Sequence, residues 1–220
     1  MESKKKQICL PILICVGYLV FLYFVLLATY SSGWLIPLAD VNASNIFQKL
    51  LVDIADSFLI VAIILAYVQV TEKSLAGLRF SKKHLPIVGL LLAVYIIFFF
   101  LHGKYSLNGI YTALFYLVTV AFCEEFVFRG FLFTAIERAY GFWSGAIVSG
   151  ILWGIPHAFI PAIARDQNLW IGVLSSLGGG ILAGAVFAFI LKKSNNILIP
   201  ILCHALLDYL PFGLNVSGST

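Results

Sequence analysis

Seven stretches of this chain are apolar for about the length needed to cross a bilayer, and that repetition limits the fold more than any other feature. A spanning helix requires about 20 mostly apolar residues. The runs cover residues 8–30, 51–70, 85–101, 110–135, 142–160, 169–191 and 197–212, each bounded by polar or turn-forming residues. Of the 220 residues, 61% are hydrophobic and only 11% are charged, against about 25% in an ordinary soluble domain. A soluble globular domain, a disordered chain, a disulfide scaffold and a nucleic-acid-binding domain are all excluded. The formal charge of +4 comes from few ions in an apolar chain, which reads as charge at a membrane surface. The expected fold is all-α, a polytopic membrane helix bundle of about seven transmembrane helices forming a single integral membrane domain over residues 1–220. The first run is too long for a signal-peptide core. Cys9, Cys15, Cys123 and Cys203 lie in apolar runs without metal-ligand spacing and read as small hydrophobes.

Lysine and arginine set the expected orientation. With the amino terminus in the cytoplasm, the inside loops hold Lys4, Lys5, Lys6, Lys73, Arg79, Lys82, Lys83, Arg138, Lys192 and Lys193; the outside loops hold Lys49, Lys104 and Arg165. That imbalance follows the positive-inside rule and predicts N-in and C-out. The linker 71–84 is expected on the cytoplasmic surface as a basic amphipathic stretch. Residues 31–50 read as an external loop or interfacial segment. Asp53 and Asp56, at the start of the second run, read as solvated. Phe98, Phe99 and Phe100 read as lipid-facing or packing material. Gly178, Gly179, Gly180 and Gly184 read as a close helix-packing face.

Ionisable residues inside a span are costly, at about 2.5–3.5 kcal/mol for a central charge on insertion scales. They gather here in three runs: Glu124, Glu125 and Arg129 in the fourth, Trp153 through His157 in the fifth, and His204 with Asp208 in the seventh. Glu125 and Arg129 are four apart and share a helix face, so they can pair. Glu124 is turned about 100° away and can point elsewhere. Two adjacent carboxylates in a low dielectric do not both ionise comfortably unless a cation compensates. Arg129 can hold one as carboxylate and leave the other free to move a proton. His204 and Asp208 are also four apart, so the carboxylate can fix the imidazole tautomer. Pro156 can kink the fifth helix and aim His157 into the bundle. Singly, His157 reads as well as a helix–helix hydrogen-bonding partner, and Glu125 with Arg129 as a structural ion pair. Together, six such residues on three helices point to one shared polar site. His84 and His102 fall at boundaries and receive no role.

These motifs resemble the CPBP family, the CAAX proteases and bacteriocin-processing enzymes also called Abi, whose members are intramembrane endopeptidases. Glu124, Glu125 and Arg129 match its Glu-Glu-x-x-x-Arg motif. Trp153 and His157 match its second motif, where phenylalanine is more usual than tryptophan. His204 and Asp208 match its third, where asparagine is commoner than aspartate. The family-like core spans about residues 110–212. The resemblance implies hydrolysis of a peptide bond in a membrane-associated peptide or protein. Glu124 would activate a water with help from His157, and Glu125, His204 and Asp208 would complete the catalytic set, His204 and Asp208 stabilising the oxyanion or positioning the substrate. Arg129 and Trp153 would support the site. The family is described both as metalloproteases and as metal-free glutamate proteases. No cofactor is the favoured expectation; were zinc bound, Glu124, His157 and His204 would be its ligands.

The expected partners are membrane lipid and a peptide or protein substrate, with no nucleic acid. The oligomeric state stays open. The expected location is a bacterial cell membrane, as a multi-pass protein. Asn-x-Ser sequons at Asn42 and Asn215 would matter only in a secretory pathway. Two rival functions remain. One is a non-catalytic scaffold or bacteriocin self-immunity protein on the same fold. The other is a small transporter or proton relay, which predicts internal repeats; the sequence has none.

Overall fold

The computed structural model describes residues 2–71, 75–102 and 104–213. Every regular element among them is helical. In chain order these are α1 (Glu2–Ser31), α2 (Ile46–Thr71), α3 (Leu85–His102), α4 (Leu107–Tyr140), α5 (Phe142–Ala164), α6 (Leu169–Ser194) and α7 (Leu198–Gly213). Six helices are long and apolar enough to cross a membrane: α2 to α6, and α1 over Ile8–Ser31. The seventh expected run forms the shorter α7, whose 16 residues rise about 24 Å. It packs against α3, α4 and α6, with Ile201, Ala205 and Tyr209 in the core, so its inner face meets protein instead of lipid.

Local chemistry sets the breaks. The Ser106 hydroxyl accepts from the Gly109 backbone N–H at 3.2 Å and caps α4. Gly141, at φ 86°, makes the sharp turn into α5 that a side chain would resist. The Asn168 side chain accepts from the N–H groups of Trp170 and Ile171 and opens α6. Asn195, at φ 49°, ends it, as a left-handed residue commonly does. Three stretches wind more widely than an α-helix: Ile54–Phe58 in α2 and Phe115–Phe122 and Glu125–Phe133 in α4. In α4 the side chains follow the wider pitch. The Thr134 hydroxyl donates five residues back to the Arg129 carbonyl at 3.0 Å, and the Cys123 thiol to the Val118 carbonyl at 3.4 Å. Such π-turns often accompany functional sites.

Arg79, Arg138 and Lys192 gather where α4 and α6 end. The linker after α2 keeps Phe80, Lys82 and Lys83 exposed, and its described part, 75–84, is tied to the bundle. Arg79 and Lys192 both pair with Glu137. Arg138 donates to the Gly77 carbonyl. The Asn196 amide donates to the carbonyls of Ser81 and Lys83. These bonds fix the linker against the ends of α4 and α6, because its backbone carbonyls find side-chain donors there. Lys73 lies outside the described residues. At the other end Asn108 donates to the Leu38 carbonyl. Asn42 is exposed in the connecting turn; the second sequon, at Asn215, lies outside the described residues.

Helices α5 and α6 meet through glycine. A Cβ on Gly180 would stand 2.8 Å from the Gly150 carbonyl oxygen and from the Gly154 Cα, and one on Gly184 would stand 2.8 Å from the Gly150 Cα. Gly178 and Gly179 do not belong to this face, since a Cβ on either would meet nothing within 4 Å. They point away from α5. Gly180→Ala is therefore expected to destabilise the protein by about 1–3 kcal/mol, the usual cost of overpacking, whereas Gly178→Ala should leave it unchanged or slightly more stable. Thermal melts of the two variants in the same detergent check the contrast.

Candidate active site

The polar residues of α4, α5 and α7 converge inside the bundle. Glu125 and Arg129 are 0% exposed, with Arg129 Nη1 3.2 Å from Glu125 Oε1. That is ion-pair distance, yet none of the three guanidinium nitrogens makes a directed hydrogen bond. Charge and ring faces hold the group instead. The guanidinium carbon lies 4.2 Å from the Trp153 ring centroid and 5.4 Å from that of Phe187, in cation–π contact with both rings. Gly184 lies beside it: a Cβ there would stand 3.6 Å from Arg129 Nη2, at ordinary contact distance.

Glu124 points elsewhere, as the 100° turn predicts. Its side chain is 30% exposed and accepts a hydrogen bond from the Trp153 indole N–H. Trp153 thus serves both acids, one through its N–H and one through Arg129 on its face. His204 is held on both sides. Its Nδ1 is 3.0 Å from Glu125 Oε1 and its Nε2 is 3.3 Å from Asp208 Oδ2. The same Nε2 is 4.0 Å from Glu124 Oε2. Phe187 stacks on the His204 ring at 5.0 Å. His157 lies on the short 3₁₀ turn Ile155–Ala158 that follows the straight part of α5. Its Nδ1 is 3.1 Å from the Trp153 carbonyl. A carbonyl only accepts, so Nδ1 carries the proton and Nε2 presents a lone pair in the neutral ring. Both imidazoles stand edge-on to Trp153, at 5.1 and 5.7 Å between centroids, which keeps them within about one helix diameter of each other.

Glu124, Trp153, His157, Phe187, His204 and Asp208 line one cavity of about 220 Å³. A second cavity, of about 290 Å³, shares Val120, Glu124 and His157 with it and extends toward α1 and α2. Asp53 and Asp56 face this second space, which corrects their expected solvated position. Asp53 is only 4% exposed. It pairs with Lys49 and accepts from the Tyr111 hydroxyl at 2.6 Å. Lys49 is itself buried in α2, so it is no outside-loop charge. The Tyr111 that covers Asp53 comes from α4, 58 residues away in sequence. Phe187 was not foreseen either; it lies three residues beyond Gly184 and so on the same face of α6 as Gly180 and Gly184.

Among the described residues no three histidine, cysteine, aspartate or glutamate side chains converge as a metal-binding group. Of the three conceivable ligands, His204 has Nδ1 on Glu125 and Nε2 beside Asp208.

No curated protein and no solved structure matches the chain. Residues 106–210 match the family model described as Rce1-like, the type II CAAX prenyl endopeptidases. This segment starts at the cap of α4 and ends in α7, and it contains every residue of the three motifs. The part of the chain that carries the site is therefore similar to the CAAX-protease family.

Proposed function

We propose that the chain is an intramembrane endopeptidase of the cell membrane, with its amino terminus in the cytoplasm. It cleaves a peptide bond of a membrane-associated peptide or protein with a water activated by Glu124. One observation carries this reading: of the two adjacent glutamates, Glu125 is sealed against Arg129 and His204, while Glu124 opens on a cavity that His157 also lines. A carboxylate with space before it can accept a proton; one buried in an ion pair cannot readily do so.

In the mechanism, Glu124 takes a proton from a water held between its carboxylate and the lone pair of His157 Nε2. The hydroxide adds to the substrate carbonyl. The resulting oxyanion is stabilised by an N–H of His204, whose ring is oriented by Glu125 and Asp208. Glu124 then returns the proton to the leaving amine as the C–N bond breaks. Trp153 holds the Glu124 carboxylate toward the cavity throughout, and Arg129 balances the charge of Glu125. No step uses a metal.

The test is peptidomics on membranes holding wild-type or Glu124→Gln protein. Peptides that appear only with the wild type support the peptidase reading. Identical peptide sets, with the variant retaining the biological phenotype, mean a scaffold or immunity protein. Metal dependence has a separate measurement. Activity is expected to survive prolonged incubation with a strong zinc chelator, and the purified active protein is expected to contain far less than one zinc per chain. Stoichiometric zinc whose removal abolishes activity and whose return restores it would falsify the metal-free mechanism.

A further inference from the structure

The cavity of about 290 Å³ that runs from Glu124 and His157 toward α2 has an unbalanced charge. Its lining includes one cation, Lys49, already paired with Asp53 and lying 4.6 Å from the Phe115 ring centroid. Two further carboxylates line it, Glu124 and Asp56. Neither is in direct contact with a lysine or arginine as Glu125 is with Arg129. Glu124 has the Trp153 N–H. Asp56 has less: its Oδ1 is buried and makes no hydrogen bond. The backbone around Asp56 is fixed, since the Tyr18 hydroxyl donates to the Asp56 carbonyl at 2.9 Å and the residue sits in the wide turn Ile54–Phe58. The remaining wall is largely apolar, with Leu22, Leu26, Leu35 and Phe115. A largely apolar cavity holding a carboxylate oxygen without a hydrogen bond suits a long aliphatic stem with a cationic head, the shape of lysine or arginine. Tyr18 and Asp56 lie outside the segment 106–210 that matches the family, so the wall that carries Asp56 comes from the chain's amino-terminal half, facing Glu124 and His157 of the matched segment.

We propose that this cavity is the pocket for a substrate side chain next to the scissile bond, and that Asp56 selects lysine or arginine there. The inference rests on the peptidase reading above, and its test separates the two. The full-length protein is reconstituted in phosphatidylcholine nanodiscs and given quenched fluorescent peptides bearing an amino-terminal fatty-acyl chain. In each, a single lysine, norleucine or glutamate occupies one position of an otherwise constant sequence. At one position the wild type should cleave the lysine peptide with a kcat/KM roughly tenfold or more above its norleucine counterpart, the worth of one charge-assisted hydrogen bond. Asp56→Asn should bring that ratio close to one, Asp56→Glu should keep it, and Asp56→Arg should shift the preference to glutamate. No lysine preference at any position, or an equal loss of both peptides in Asp56→Asn, overturns the assignment of Asp56. If no peptide is cleaved, or Glu124→Gln cleaves as fast as wild type, the peptidase reading fails. Fluorescence anisotropy of the same peptides then decides the pocket by itself. Tighter binding of a lysine peptide that disappears in Asp56→Asn upholds it, and equal binding of lysine and norleucine peptides refutes it.

Discussion

Glutamine in place of Glu124 is expected to lower kcat for peptide hydrolysis by about 10²–10⁴-fold, the range for a lost general base, in a protein that melts where the wild type does. The two halves of that expectation have different origins. The rate falls because an amide oxygen cannot hold the proton that a carboxylate takes from water. The fold survives because Glu124 is 30% exposed, borders open space and has a single strong partner, the Trp153 N–H, for which a glutamine carbonyl is an adequate acceptor. Glu125→Gln should behave differently. It removes the counter-charge of a fully buried Arg129 and one anchor of His204, so lower stability should accompany any loss of rate. Measuring kcat and melting temperature for both variants tests the division of labour between neighbours. A stable but inactive Glu125→Gln beside an active Glu124→Gln would reverse the two roles.

The parts of the site that could be read from the sequence are those set by local helix geometry. Glu125 with Arg129 and His204 with Asp208 are each four residues apart, and four residues bring two side chains onto one helix face whatever the rest of the chain does. That Glu124 and Glu125 diverge follows from the same geometry. The rest depends on contacts between distant segments. Asp53 reads as a carboxylate near the end of an apolar run, where water is the obvious partner; Tyr111, on another helix, keeps it buried. Lys49 and Asp53 are four apart, so their pairing was visible, but not their burial. The wide turns of α4 leave no signature in Phe-Val-Phe-rich sequence, since periodicity alone does not distinguish the two pitches over so few residues. Among the four glycines of α6, only the facing backbone of α5 decides that Gly180 and Gly184 are packed and Gly178 and Gly179 are not. The helix count shows the same limit. The seventh run forms α7, of which 16 residues are described, and the burial of its inner face depends on α3, α4 and α6.

Alanine in place of Arg129 is expected to cost about 3–5 kcal/mol, the usual penalty for breaking a buried ion pair by removing one partner. Three terms add in the same direction. Glu125, 0% exposed, loses the guanidinium 3.2 Å away and must either remain charged in a low dielectric or take up a proton. The space between the Trp153 and Phe187 rings loses the guanidinium that both faces contact. Trp153, no longer supported on that face, is freer to release Glu124. Arg129→Lys restores the charge but not the planar group that spans both rings, so it should recover only part of the stability. The informative variant is Arg129→Met combined with Glu125→Gln, which fills the space between the rings and removes the carboxylate's charge together. If the role of Arg129 is to neutralise Glu125, the double variant should melt well above Arg129→Ala and above the Glu125→Gln single variant, since neither partner is then left charged alone. A double variant as unstable as Arg129→Ala would mean that stacking, not charge balance, dominates. An Arg129→Ala protein as stable as wild type yet inactive would place the guanidinium on the substrate.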